Sequence, residues 1–447
     1  MIKMIKSADF EKSSITKKTE ASAQLNSTVA AIIASIINRG DEALREYTEK
    51  YDGCTMESFE LSQLAMDKAL NSVDPEFLKV MERAAKNIED FHRKQIQKGF
   101  DLPPKSGVLL GQKVTPLERV GIYIPGGSAS YPSSVLMNCI PAKIAGVKEI
   151  IIATPPSGKK SAKSSHGSGD TTTDTNTADI VSGIDAKVLA AARLSGADRV
   201  FAMGGAQAIA ALAYGTETVP RVDKITGPGN AYVAEAKRQV FGIVGIDMIA
   251  GPSDILIIAS SEADPALVAA DMLSQCEHGP DSPAVLITKS KTFADKVSAE
   301  IELQLKTLPR KEIARKAIDE HSMIIITKSI DEAFEISNRL APEHLEIFLD
   351  EPFNYLDKVK NAGSVFMGKF SPEALGDYYA GPNHTLPTSG TARFSSPLSV
   401  DDFVKKTSYT YYTKEALCTA SNDVIRFAEE EGLRAHALSI SKRVDKL

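Results

Sequence analysis

The stretch VGIYIPGGSASYPSSVLMNCIPAKIAGVKEIIIAT, residues 120–154, decides the fold class. It opens on a short apolar run (120–125) that ends in a glycine-rich turn. A helical segment follows, and a second apolar run (149–154) begins just past Gly146. Two short runs rich in Val and Ile, joined by a helix, describe parallel strands with both faces covered. The pattern repeats at RVFAMG (199–204), after the helical AKVLAAARLSGA. A second series follows: DILIIAS (254–260), PAVLITK (283–289) and SMIIITK (322–328). Two series of strand–helix alternation predict two α/β domains, each built on a parallel, incomplete Rossmann-like sheet.

The sequence upstream reads differently. Val29, Ile32, Ile33, Ile36 and Ile37 recur at helical spacing until Gly40 interrupts them. Asp74-Pro75 is a cap followed by proline at the first helical position, and Phe77, Leu78, Met81, Ala84, Ala85 and Ile88 form the stripe behind it. His92 continues that helix and is expected to be structural. The expected organisation is a mainly helical N-terminal region (1–115), a first α/β domain (116–250), a second α/β domain (251–385) and a small C-terminal appendage (386–447). Residues 157–179, SGKKSAKSSHGSGDTTTDTNTAD, are polar and without periodicity. They are expected to form a disordered, dispensable loop insertion, which makes His166 a poor ligand candidate.

The 447-residue chain is 43% hydrophobic and 25% charged, as suits a protein with a substantial core. A net charge of −6 gives no basic footprint for nucleic acid. No apolar run reaches the ~18 residues a membrane span needs, and MIKMIKSADFEKSSITKK lacks an apolar signal core. A soluble cytoplasmic protein is expected. The four cysteines (Cys54, Cys139, Cys276, Cys418) are scattered, so any metal must be held by His, carboxylate or amide groups.

Five of the seven histidines lie at or beyond residue 278, and all but His321 sit in polar motifs. In SQCEHGPDS (274–282), Val268, Met272 and Cys276 continue one buried stripe, whereas Gln275 and His278 share another face at i, i+3. That spacing can chelate a metal. It also suits a histidine near a helix C-terminus, favoured by the dipole. APEHLEIF (341–348) sets Glu343 beside His344, an acid and an imidazole that both tune toward neutral pH; the plainer reading is a surface pair starting a strand. GDYYAGPNHTLPTSGTAR (376–393) is too dense in functional groups for filler and offers Asp377 and His384, each otherwise a turn residue. EEEGLRAHA offers Glu431 and His436, otherwise a solvated helix end. Gly-rich turns before helices at 123–135, 203–212 and 224–237 can aim N–H groups at an anion, but none has the spacing of a dinucleotide fingerprint.

Taken together, GIYIPGGSA, GGAQAIAALAYGTETVPRVDKITGPGNAYVAEAK, GPSD, SQCEHGPDS, APEHLE and GDYYAGPNHTLPT resemble the histidinol dehydrogenase family over nearly the whole chain. The resemblance implies oxidation of L-histidinol to L-histidine, the final step of histidine biosynthesis, in two NAD-dependent steps through an enzyme-held aldehyde. It implies zinc on Gln275, His278, Asp377 and His436, and acid–base roles for Glu343 and His344. Substrate contacts are implied for Ser253, His384 and Glu431 besides Glu343, His344 and the metal ligands, and NAD contacts for Tyr123, Gln207 and Asn230. It implies a homodimer whose C-terminal tail reaches the partner's site. Three other readings of the residues compete: a zinc-dependent hydrolase using the Glu-His pair, a thiohemiacetal mechanism on Cys276, and a non-catalytic binding protein. The core-side position of Cys276 argues against the second.

Overall fold

The computed structural model describes residues 2–10, 23–126, 130–156 and 183–445. The insertion at 157–179, with His166, lies outside them. The described strands are β1 (Lys3–Lys6), β2 (Phe100–Asp101), β3 (Val108–Pro116), β4 (Arg119–Tyr123), β5 (Glu149–Thr154), β6 (Arg199–Ala202), β7 (Lys224–Thr226), β8 (Gly245–Ile246), β9 (Ile255–Ala259), β10 (Ala284–Thr288), β11 (Met323–Ile326), β12 (His344–Phe348), β13 (Ser364–Met367) and β14 (Val404–Tyr412). The chain divides into two compact units, Met1–Gln95 with Leu117–Phe403, and Ile96–Pro116 with Val404–Leu447.

The first unit holds two parallel sheets, as the strand–helix alternation predicts. One has the order β6-β5-β4-β7-β8. The chain winds outward from β4 through β5 to β6, then returns to place β7 on the other side of β4. That reversal opens a crevice at the carboxyl ends of β4 and β7, where open α/β sheets bind ligands. Ile150, Ile151, Ile152 and Ala153 are all fully buried, which explains the unbroken apolar run of β5.

The other sheet has the order β1-β11-β10-β9-β12-β13, parallel throughout. Here the reversal falls between β9 and β12. Helix Pro265–Cys276 follows β9 and runs back along the sheet, so its C-terminus returns to the amino edge of the strands. On that helix Val268, Met272 and Cys276 are fully buried.

Helices Ala23–Arg39, Asp41–Asp52, Gln63–Ser72 and Pro75–His92 make up most of the N-terminal region. Asp74 caps the last as expected, its carboxylate accepting from Phe77 N at 2.9 Å. Three details differ from the periodicity. Ile37 lies off the buried stripe and is 51% exposed. Lys3–Lys6 forms an edge strand on β11, too short to show a period of its own. Residues 96–116, read as part of the helical region, supply β2 and β3 to the second unit.

In that second unit β3 pairs antiparallel with β14 on one side and β2 on the other. Helices Lys414–Glu430 and Arg434–Val444 follow β14. Phe427 on the first of them is 70% exposed, with Leu433 and Leu438 also outside the core.

Candidate active site

His344 is the first residue of β12, and Asp254 immediately precedes β9, its neighbour. This puts the Glu343-His344 pair at the amino edge of the sheet, and it is buried there: Glu343 is 4% exposed and His344 3%. Asp254 fastens both. Its Oδ1 accepts from Glu343 N at 2.9 Å, and its own N–H donates to Glu343 Oε2 at 3.0 Å. Its carbonyl lies 2.9 Å from His344 Nδ1. A carbonyl only accepts, so Nδ1 carries the proton and, in the neutral ring, Nε2 presents a lone pair.

Burial sets the protonation of the pair. It lowers the His344 pKa, an effect that outweighs the Glu373 carboxylate near it. It also raises Glu343 well above the usual carboxylate range, and the negative charge of Asp254 adds to the rise. Asp254 keeps a little residue surface, but its carboxyl group is enclosed by protein and is pushed up to about 7. Ser253 lies against Glu343 and favours its ionised form.

Around this pair the first unit gathers Gln275, His278, Asp377 and His384. His278 Nε2 is 3.9 Å from Asp377 Oδ2. His384 Nδ1 sits 2.9 Å from the Asp377 carbonyl and 3.7 Å from Asp377 Oδ1, so this ring also has its proton on Nδ1. His384 Nε2 lies 3.3 Å from Ser134 Oγ, and burial depresses its pKa to about 4. Gln275 is fully buried against Glu373, yet neither amide atom has a well-formed hydrogen bond. An amide left so costs about 1–3 kcal/mol. Glu431 and His436 belong to the second unit, where both are exposed.

Glu373 and Asp254 are residues the motifs did not single out. Glu373 stands four residues before Asp377 on the short helix Glu373–Tyr378, a spacing that puts both on one face. Its Oε1 is 3.9 Å from His344 Nε2, and its Oε2 accepts from Ser274 Oγ at 3.2 Å. Burial pushes it up to about 7. His344, Glu373 and Asp377 each offer a ligand atom within 4.8 Å of the others. Asp254 ends the GPSD string, and only the β9–β12 pairing gives that position its meaning. His92 is fully buried between one local and one long-range polar partner: Gln95 Oε1 at 2.7 Å from Nδ1 and Asn383 Nδ2 at 3.4 Å from Nε2. Cys276, buried with its thiol pushed up to about 12, is no nucleophile.

The residues expected to contact NAD lie at the other sheet's crevice. Tyr123 ends β4, and its hydroxyl accepts from Gly205 N at 3.0 Å. That bond takes up an N–H the sequence offered to an anion. Gln207 is 1% exposed, with Nε2 unpartnered among the described residues. Asn230 caps helix Ala231–Val240, its Oδ1 accepting from Tyr232 N at 3.0 Å and Val233 N at 3.2 Å. The turn before it is locked. Gly227 N donates to Asp247 Oδ2 at 2.8 Å, and Lys237, ion-paired with Asp247, donates to Gly227 O at 3.0 Å. Gly227 has φ 107°, and a Cβ there would stand 2.1 Å from Tyr123 O, so no other residue fits.

Comparisons with known proteins agree over nearly the whole length. The profile of the family described as histidinol dehydrogenase matches residues 15–166 and 173–444. A histidinol dehydrogenase from Listeria innocua is 50% identical over 428 residues, covering 96% of this chain and 95% of that protein. One from Streptococcus mutans is 50% identical over 422 residues, covering 94% and 93%. The crystal structure of histidinol dehydrogenase from Elizabethkingia anophelis superposes with a TM-score of 0.88 at 38% identity, covering 97% of this chain and 95% of that one. The buried acid–imidazole pair at the edge of the second parallel sheet is therefore set in a known framework, and the chain belongs to the histidinol dehydrogenase family.

Proposed function

We propose that this site oxidises L-histidinol to L-histidine, the last step of histidine biosynthesis, in two NAD-dependent steps, with zinc holding the substrate. The observation that carries the reading is the buried Glu343-His344 pair. One member has a bare nitrogen and a lowered pKa, the other a raised pKa, and both are fixed by Asp254 beside a nitrogen- and oxygen-rich set of side chains.

The donor set suits zinc. Gln275 offers an amide oxygen with no hydrogen-bond partner among the described residues, and His278 and Asp377, 3.9 Å apart, would hold the same ion. We assign Gln275, His278 and Asp377 to the metal in preference to a set built on His344 and Glu373. His344 is needed as a base, and Glu373 already accepts from Ser274. His436 of the exposed tail supplies the fourth position, and Glu431 a substrate contact, from the partner of a homodimer. The exposed apolar Phe427, Leu433 and Leu438 of the second unit favour such a pairing. When bound, zinc anchors the amino alcohol and its imidazole as a template.

The protein's own groups then move protons. His344 Nε2 takes the hydroxyl proton of histidinol as the carbinol carbon gives hydride to NAD and the C=O bond forms. Glu343 takes a proton from water as the water oxygen bonds the aldehyde carbon, and protonated His344 returns its proton to the aldehyde oxygen. The hydrate next loses hydride to a second NAD while His344 takes the hydroxyl proton again. Alcohol, water and two NAD thus give carboxylate, two NADH and three protons. Ser253 and His384 line the substrate, and burial keeps the aldehyde from side reactions. NAD lies at the crevice of the first sheet, against Tyr123, Gln207 and Asn230, where the unpartnered Gln207 amide supports a ligand. We place the enzyme in the cytoplasm. All four cysteines are free thiols, and no described helix is long and apolar enough to cross a membrane.

The test is stoichiometric. Two NADH per histidine formed is the expected result. No nicotinamide reduction with histidinol, or release of the aldehyde after one NADH, would sink the reading.

A further inference from the structure

Asp52 is the last residue of helix Asp41–Asp52, and it breaks three local rules at once. A carboxylate at a helix C-terminus faces the negative end of the dipole. The group is largely enclosed, and burial, with no donor among the described residues to offset it, raises its pKa to about 6. Its Oδ2 is buried with no hydrogen-bond partner among the described residues. The neighbouring Cys54 thiol points instead to the Asp52 main-chain carbonyl, 3.5 Å away. Residues that break local rules without compensation mark functional positions.

The surroundings say what the group is for. Asp52 Oδ1 lies 3.2 Å from where a side chain at Gly204 would begin, and its charge reaches the Tyr123 hydroxyl. Gln207, two residues past Gly205 on the following helix, is 1% exposed and has an unpartnered Nε2, while its Oε1 lies 2.7 Å from the Cβ position of Gly205. Among the described residues, one turn at the carboxyl end of the first sheet therefore holds an acceptor with no donor and a donor with no acceptor. A negative charge at this helix start repels phosphate, so the matching ligand part is uncharged and rich in donors.

We propose that Asp52 is a further contact for the dinucleotide, its carboxylate accepting hydrogen bonds from ribose hydroxyls. The proposal rests on the NAD reading above. A carboxylate suits a vicinal diol because its two oxygens take both hydroxyl protons. The pyrophosphate then lies away from the Gly204–Gly205 turn.

The test uses the full-length protein with Asp52→Asn and Asp52→Ala. NAD binding is read by titration calorimetry, with KM for histidinol and the melting temperature without NAD alongside. Hydrogen bonds to a charged group contribute about 1.5–3 kcal/mol, so NAD affinity should fall roughly 10–100-fold. The KM for histidinol should hold within about twofold. Without NAD, Asp52→Asn should melt at or above the unaltered protein, because the helix end loses an unfavourable charge; a merely structural Asp52 predicts a lower melting temperature. Unchanged NAD affinity in both variants would overturn the proposal while the NAD reading stands. Failure of the unaltered protein to bind NAD would instead remove that reading, and this proposal with it.

Discussion

Asp254→Asn separates the electrostatics of the site from its geometry. Asp254 is held at about 7 against an ordinary 3.8, chiefly by burial. At about 1.36 kcal/mol per pKa unit, keeping it ionised costs the folded state about 4 kcal/mol. The sign follows from proton binding. The folded chain holds this proton more tightly than the unfolded one, so the contribution to stability is full below 3.8 and is lost as pH rises through about 7. Asparagine keeps an Oδ1 acceptor for Glu343 N and has no proton to lose. It removes an acceptor oxygen near Ser389, which subtracts a constant of about 1 kcal/mol at every pH. Loss of the negative charge also relieves Glu343, whose pKa Asp254 helps to raise. The assay is urea unfolding of both proteins at pH 5 and pH 8. About a third of that cost is already present at pH 5, so the variant should gain on the unaltered protein by about 2.6 kcal/mol between those pH values, whatever the constant offset. A stability difference independent of pH would mean that Asp254 ionises at no cost, and the account of a dry carboxyl pair would fall.

Two further outcomes are expected. Glu343→Gln should still oxidise histidinol to the aldehyde level but fail on added histidinal, whereas His344→Asn should lose roughly 10²–10⁴ in both oxidations, read as single-turnover NADH formation; normal histidinal oxidation by Glu343→Gln would take water activation away from Glu343. His278→Ala should lose zinc by elemental analysis while its circular dichroism stays native, since both parallel sheets pack without that side chain; full zinc occupancy would refute the ligand assignment.

Much of this was legible because it was local. The cap at Asp74-Pro75, the buried strand runs and the Cys276 stripe each depend on residues within a turn or two. What escaped depends on pairing at long range. Four residues at the N-terminus become a strand only because β11 offers an edge, and residues 108–116 do so because β14 returns nearly three hundred positions later. Glu373 left a usable trace, its i, i+4 spacing from Asp377. Asp254 left none, since its role is fixed by β9 lying beside β12. His92 shows the same limit: its helix was readable, but Asn383, which closes its polar contact, arrives from a distant loop.

The two sheets of the first unit use opposite edges, and their chemistry differs accordingly. At the carboxyl ends of β4 and β7 the chain turns into helices, so the crevice is lined by main-chain N–H groups and the residues that settle them: Tyr123 on Gly205, Asn230 on its own helix. At the amino edge of the second sheet the order around the pair comes chiefly from side chain and main chain of a single residue. Asp254 presents a side-chain oxygen to one backbone N–H, its own N–H to the Glu343 carboxylate and its carbonyl to the His344 ring. The register that sets His344 opposite Ile255 brings all three within reach. Orientation of the base, choice of its tautomer and placement of the second acid thus follow from one pairing of parallel strands. That pairing is stiff because Leu256, Ile257, Leu345 and Ile347 beneath it are buried on both faces. In the proposed reaction, a base held this way would spend little free energy on ordering when substrate arrives, as two successive proton removals by the same imidazole would require.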